Sequence, residues 1–183
     1  MYCGNNKTAL QSQCQTAEAL IDLLRVKPFA QISVSELCRA AGISRQTFYS
    51  LFSGKEDAMM FTLQARYCEG LEMDGSAVPA GRDETLRRLC RGYSSYILRN
   101  RALIRLLVEN HIDYMLYDSF CGAMDRCGCF LEDADESVRG YAAGFLAGGV
   151  VSVARRYAEE GCSSSESQLE ELLDALVSGS LFR

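Results

Sequence analysis

Proline is nearly absent from this chain of 183 residues: only Pro28 and Pro79 occur. Because proline breaks a helix in its interior, the rest of the chain is free to form long helices. Also missing is any run of the ~18 consecutive apolar residues that a membrane span needs. The polar start Gly4-Asn5-Asn6-Lys7 is not a signal peptide, so Asn6-Lys7-Thr8 is a glycosylation sequon in form only. Histidine is reduced to His111. A hydrolytic or group-transfer enzyme needs a nucleophile with a base, or paired carboxylates. No Ser or Cys can be set beside His111, and the acidic Asp133, Asp135 and Glu136 precede an expected helix, whose N-terminus attracts acids in any case. The chain reads as a non-enzyme without metal or cofactor.

Basic charge is in deficit too, at 19 Lys and Arg against 24 Asp and Glu, a net charge of −5. The deficit is uneven. Residues 1–60 carry six basic and five acidic side chains, a net +1, and the remainder carries −6. A nearly neutral head on an acidic body suits a nucleic-acid binder whose head meets phosphates, although +1 per head calls for two heads working together. Nine cysteines are an odd number in a chain with no secretory route, which argues against a disulfide framework. Cys14, Cys38, Cys68 and Cys90 fall where helices want a small apolar residue. Cys127-Gly128-Cys129 could bind a soft metal or sense oxidation, but no second pair or His stands near it in sequence.

Residues Ile32 to Met60 organise the rest. Ser33 to Glu36 fits a capping box at the start of a short helix carrying Leu37, Ala40 and Ala41 inward. Gly42 supplies the left-handed turn that ends it. Ser44 caps a second short helix with Phe48, Leu51 and Phe52 on one face. Two short helices joined through a glycine are a helix-turn-helix. The second would present Arg45, Gln46, Thr47, Tyr49 and Ser50 outward, where they can reach phosphates and base edges in a major groove.

This stretch resembles the DNA-binding domain of the TetR/AcrR transcriptional regulators. The resemblance is carried by Ile32-Ser33-Val34, Ala41-Gly42-Ile43-Ser44, Thr47-Phe48-Tyr49-Ser50-Leu51-Phe52 and Lys55-Glu56. Leu51 departs from it, since many members have His or Tyr there. Leu103-Ile104 and Leu106-Leu107, with Tyr96-Ile97 before them, resemble a branch that includes an activator of dihydroxyacetone-kinase genes. The resemblance implies an all-α protein of about nine helices: a three-helix DNA-binding head over residues 1–54 and a helical ligand-binding and dimerisation domain over 55–183.

Periodicity places the helices at Lys7–Lys27, Val34–Ala41, Arg45–Leu51, Lys55 to about Met73, Arg82–Asn100, Arg101 to about Asn110, Asp113 to about Phe130, Glu136–Glu160 and after Ser163-Ser164-Ser165. Leu10, Cys14, Ala17, Ile21 and Leu24 form the first stripe. Ser53 and Glu56 suggest a second capping box. Asp74 to Gly81 reads as a linker. Arg82, Arg87, Arg88 and Arg91 make a basic edge that is either solvated or faces an acidic partner. Tyr141 to Ala154 carries no charge, which predicts a helix buried on nearly all sides, and Gly140, Gly144 and Gly148 make a bare ridge for a close neighbour helix.

The function expected is a ligand-responsive transcription regulator, a repressor, that binds a palindromic double-stranded operator as a cytoplasmic homodimer away from any membrane. Ser33, Ser44, Thr47, Tyr49 and Lys55 are the candidates for phosphates, and Arg45, Gln46 and Thr47 for bases. A small-molecule effector would meet Phe61, Tyr67, Tyr93, Tyr96, His111, Tyr114, Tyr117, Phe120 and Met124, because buried phenols need polar partners and a mixed aromatic pocket is selective. The family resemblance implies a dimer interface in the last two helices, with Gly140, Gly144, Gly148, Leu169, Leu172, Leu173 and Leu176. Ligand binding would tilt the fourth helix and alter the spacing of the recognition helices. The alternative is a TetR-like adaptor or coactivator that works through a protein partner without an effector.

Overall fold

The computed structural model describes residues 6–70, 82–126 and 135–180. Nine α-helices and one 3-10 turn make up the regular structure among the described residues: α1 Lys7–Leu24, the turn Phe29–Gln31, α2 Val34–Ala41, α3 Arg45–Leu51, α4 Lys55–Gly70, α5 Arg82–Arg99, α6 Arg101–Glu109, α7 Tyr114–Arg126, α8 Glu136–Glu159 and α9 Glu166–Val177. They form two compact units, Met1–Ala65 and Arg66–Arg183. The first unit therefore runs eleven residues past the expected end at 54, because Ala58, Met59 and Leu63 on α4 are buried. The linker at 74–81, Cys127-Gly128-Cys129, Asp133, and the side chains of Tyr67 and Cys68 lie outside the described residues.

In the first unit α1 packs on α2 and, with it, on α3. The Asn6 side chain accepts from the Thr8 N–H at 3.0 Å and starts α1. The helix ends at Leu24, three residues short of expectation, as the Val26 and Lys27 N–H groups both fold back to the Leu23 carbonyl at 3.1 Å ahead of Pro28. The expected stripe holds at Ala17, Ile21 and Leu24 and fails at Leu10 and Cys14, which are exposed. Gln13 and Thr16 are buried instead. The Thr16 hydroxyl donates to the Ser12 carbonyl at 2.7 Å, which satisfies a polar group inside the helix itself.

The core beneath is apolar and partly aromatic. Leu20, Leu37 and Phe48 are fully buried, with Ile32 and Phe52 almost so. Phe52 lies 5.4 Å from Phe48 and 5.8 Å from Phe61, centroid to centroid. These rings fix the short helices α2 and α3, which are too short to be stable alone.

In the second unit α5 packs on α9, and α8 packs on both α6 and α7. Ala143, Ala147, Val150 and Ala154 bury one face of α8, and their small side chains let the neighbouring helices come close. The α7 end is tied to α8 by Asp113, almost wholly buried, which accepts from the Arg155 Nε at 2.7 Å and from a second nitrogen of the same guanidinium. The turn after α8 uses two left-handed residues, Gly161 at φ 76° and Cys162 at φ 59°, and the Cys162 N–H closes on the Tyr157 carbonyl at 2.9 Å. Ser165 then starts α9 with a complete capping box to Gln168.

The reading of α8 needs correction. It is not buried on nearly all sides: Tyr141 is 84% and Phe145 80% exposed. By length and composition α8 is apolar enough to cross a membrane, a test that core helices of other proteins also meet. An uncharged stretch shows only that a helix avoids charge; here one face is covered within the chain and the other is not.

Candidate nucleic-acid interface

The two short helices are built as their sequence dictates. The Ser33 hydroxyl accepts from the Glu36 N–H at 3.2 Å and opens α2. The return half of the expected capping box is missing, because the Glu36 carboxylate pairs with Lys27. That hydrogen bond from Lys27 is the main reason the Glu36 carboxyl is held below its ordinary range. Gly42 ends α2 at φ 67°, and the Ile43 N–H closes on the Cys38 carbonyl at 3.0 Å, the bond pattern of a Schellman stop. Ser44 opens α3 by accepting from the Thr47 N–H at 2.9 Å, and its hydroxyl meets the Thr47 hydroxyl at 2.8 Å. At the start of α4 the expected Ser53–Glu56 box is replaced: the Asp57 carboxylate accepts from the Ser53 N–H at 3.0 Å and its hydroxyl at 3.3 Å.

Phe48 and Leu51 face inward from α3, so the opposite face carries Arg45, Gln46, Tyr49 and Ser50, all exposed. Tyr49 is 52% exposed, with its ring edge against Phe48. Arg45 and Gln46 make no hydrogen bond or ion pair among the described residues. Thr47 is half-buried and committed to Ser44. Lys55 is not free: its ammonium donates to the carbonyls of Phe29, Ile32 and Ala30 at 2.7, 3.1 and 3.3 Å and lies 4.6 Å from the Phe29 ring centroid.

The expected effector residues are not all brought together. Tyr93, Tyr96 and Phe120 converge as a buried cluster in the second unit, with Phe120 at 4.9 Å from Tyr93 and 5.3 Å from Tyr96, and Met124, one turn along α7 from Phe120, is buried too. Ser119, which precedes Phe120 on α7 and is absent from the expected set, is fully buried and its hydroxyl has no hydrogen-bond partner among the described residues. A lone serine on the apolar side of α7 was the signal. Tyr114 is 57% and Tyr117 40% exposed. His111 is exposed too and takes a left-handed turn at φ 56° just after α6. Phe61 belongs to the first unit, where it packs on Phe52.

A cleft of about 330 Å³ opens between α5 and α9, lined by Arg87, Cys90, Ser167, Glu170, Glu171 and Asp174. Among the described residues, its lining includes none of those expected to meet an effector. It does explain part of the basic edge of α5: Arg91 donates to Glu170 at 3.1 Å, so an acidic partner is α9 of the same chain. Burial pushes the Cys90 thiol up to about 11, which leaves it unreactive at neutral pH.

The expected dimer residues also divide. Leu169 and Leu173 are buried within the chain, where α9 packs on α5, and are not available to a partner. Leu172 is 42% exposed and Leu176 half-buried. Gly144 meets Tyr117 of its own chain, while nothing lies within 4 Å of a Cβ placed on Gly140 or Gly148. The bare surface is the stripe Val138, Tyr141 and Phe145, legible in sequence as apolar residues three and four apart.

This geometry is that of a helix-turn-helix in the first unit, and the second unit is helical as well. A family model described as bacterial regulatory proteins, tetR family, matches residues 18–57. The chain is 31% identical over 110 residues to the HTH-type dhaKLM operon transcriptional activator DhaS of Lactococcus lactis, a match covering 60% of this chain and 50% of that protein. It is 38% identical over 69 residues to the HTH-type transcriptional regulator EthR of Mycolicibacterium smegmatis, covering 36% of this chain and 32% of the relative. The matches thus span half or less of these relatives' length. The crystal structure of Lin0861 from Listeria innocua shares the fold, with a TM-score of 0.74, 17% identity and coverage of 100% of this chain and 97% of that one. Residues 18–57 thus carry the likeness to the tetR-family regulators, and the remainder of the chain shares the fold of a solved structure at 17% identity.

Proposed function

We propose that this protein is a ligand-responsive transcription regulator of the cytoplasm that binds a palindromic operator as a homodimer. The observation that carries the DNA reading is the exposed outer face of α3, where Arg45 and Gln46 stand unpartnered beside Tyr49. Bidentate Arg and Gln side chains read guanine and adenine edges, and Tyr49 with Ser33 and Ser44 suits phosphate oxygens. The first unit supplies one such helix per chain, so two-fold symmetry demands two half-sites.

The homodimer rests on the Val138, Tyr141 and Phe145 stripe and Leu172. Large exposed apolar side chains in register on one helix mark an interaction face. The effector reading rests on the buried tyrosine cluster and on Ser119, whose hydroxyl would gain a partner from a ligand with a polar group. The sign of regulation follows from operator position relative to the promoter. Repression was the expectation, and the lactococcal relative is named as an activator.

Selection of duplexes from a random pool by the purified protein tests this reading. Enrichment of an inverted repeat bound by two chains supports it. No enriched sequence defeats it and favours the adaptor reading.

A further inference from the structure

The chain has only three lysines, Lys7, Lys27 and Lys55, and Lys55 is placed unlike the others. It is the first residue of α4, half-buried, and its ammonium reaches three backbone carbonyls. An ammonium has three N–H bonds and no more, so Phe29, Ala30 and Ile32 use all of them. The Phe29 ring covers it at 4.6 Å.

The acceptors belong to one segment. Phe29–Gln31 is a single 3-10 turn after Pro28, held internally by the Gln31 N–H to the Pro28 carbonyl and the Ile32 N–H to the Phe29 carbonyl. Such a short turn has few bonds of its own. Ile32 leads directly into Ser33, the cap of α2. One ammonium thus joins the first residue of α4 to the segment that enters the helix-turn-helix.

To reach a phosphate, Lys55 would have to give up three charge-assisted bonds, two of them half-buried, and take from the Ile32 carbonyl its donor; the Phe29 carbonyl would keep only the Ile32 N–H. We propose that Lys55 is a positioning residue for operator recognition: its ammonium stays on the three carbonyls when DNA is bound, holds α4 against the entry to α2, and raises operator affinity without neutralising a phosphate. The proposal rests on the DNA-binding reading above.

The test measures operator affinity against salt for wild type, Lys55→Met and Lys55→Arg, with a non-operator duplex alongside. Each removed phosphate contact lowers the slope of log affinity against log salt by ~0.9. We expect Lys55→Met to bind the operator at least tenfold more weakly with an unchanged slope and a reduced ratio of operator to non-operator binding. A merely destabilised fold would lower the active fraction and leave that ratio alone. Lys55→Arg should behave like Lys55→Met, because the planar guanidinium cannot replace a point donor among three carbonyls.

A slope reduced by about one charge, or full affinity in Lys55→Arg, overturns the proposal. Should either variant fail to fold, acetylation of wild type by sulfo-N-hydroxysuccinimide acetate decides. Lys55 should react much more slowly than exposed Lys7 with and without operator, and equal reactivity in the free protein overturns it. Wild type that binds no duplex at any salt defeats the underlying DNA reading, whereas wild-type binding with a lowered Lys55→Met slope defeats this proposal alone.

Discussion

The Tyr117 hydroxyl lies 2.8 Å from the point where a Cβ on Gly144 would stand. α7 thus lays a phenol across α8 where α8 has no side chain. Tyr117 also hydrogen-bonds Cys121 one turn along α7, a contact that holds its phenol above the ordinary range. The glycine ridge is therefore not uniform: Gly144 faces Tyr117, while nothing lies within 4 Å of a Cβ placed on Gly140 or Gly148. Gly144→Ala must push aside the tip of a part-exposed side chain, offset by the ~1 kcal/mol that glycine costs a helix, and should leave stability within about 1 kcal/mol of wild type. Gly144→Leu cannot be accommodated by that movement and should destabilise by ~1–3 kcal/mol through overpacking. Thermal melts of both variants check this; a Gly144→Leu protein as stable as wild type would contradict the contact.

The exposed stripe of α8 gives a separate outcome. Phe145→Glu puts a charge on the face we assign to the partner, at a side chain that is 80% exposed in its own chain. Sedimentation at micromolar concentration should show a wild-type dimer and a folded Phe145→Glu monomer. Gly148→Ala, with open space around it in one chain, should stabilise the isolated helix by up to ~1 kcal/mol and weaken only the dimer. A dimer undisturbed by Phe145→Glu would remove this face from the interface.

Acid should loosen the head through Glu36. Its carboxyl is held below the ordinary range, chiefly by the Lys27 hydrogen bond. A depressed acid stabilises the fold fully above its unfolded pKa, and that contribution is lost as pH falls through the lowered folded pKa. Glu36→Gln should therefore melt below wild type at neutral pH, and the difference should vanish in acid beneath the ordinary glutamate range. Because the pair is solvent-screened, salt should shrink the gap as well. A difference that is constant with pH would show that Lys27 and Glu36 do not pair in solution.

Effector binding has its own check at Ser119. A ligand found by thermal-shift screening that seats a polar group on this hydroxyl should bind Ser119→Ala more weakly by ~0.5–1.5 kcal/mol. Linkage requires more: if the ligand releases DNA with a coupling of ~1–3 kcal/mol, operator must weaken the ligand by the same factor. Equal ligand affinity with and without operator would leave the site standing and remove the switch.

Local chemistry was legible in the sequence where one residue type satisfies one backbone need. Ser33, Gly42 and Ser44 did so, and the bounds of α2 and α3 followed from them to the residue. What escaped was competition between equivalent partners. Glu36 and Asp57 could each cap a helix or pair elsewhere, and spacing cannot rank the choices: Lys27 took Glu36, and Asp57 displaced Glu56 at Ser53. The seat of the Lys55 ammonium escaped for a related reason, since its sequence position says nothing about three carbonyls more than twenty residues earlier. The aromatic residues were separated by direction. Tyr93 and Tyr96 turn inward while Tyr114 and Tyr117 turn out, a difference of helix orientation that a tyrosine count does not contain.

The central claim is that the outer face of α3 reads DNA sequence, and base-preference profiles of wild type, Gln46→Ala and Tyr49→Phe measured on the recovered operator test it most directly. Gln46→Ala should relax preference at one position in each half-site by ~1–3 kcal/mol and leave the others unchanged, while Tyr49→Phe should weaken every sequence alike. Identical profiles for wild type and for Gln46→Ala, together with an equally unaltered profile when Arg45 is replaced by alanine, would contradict the account.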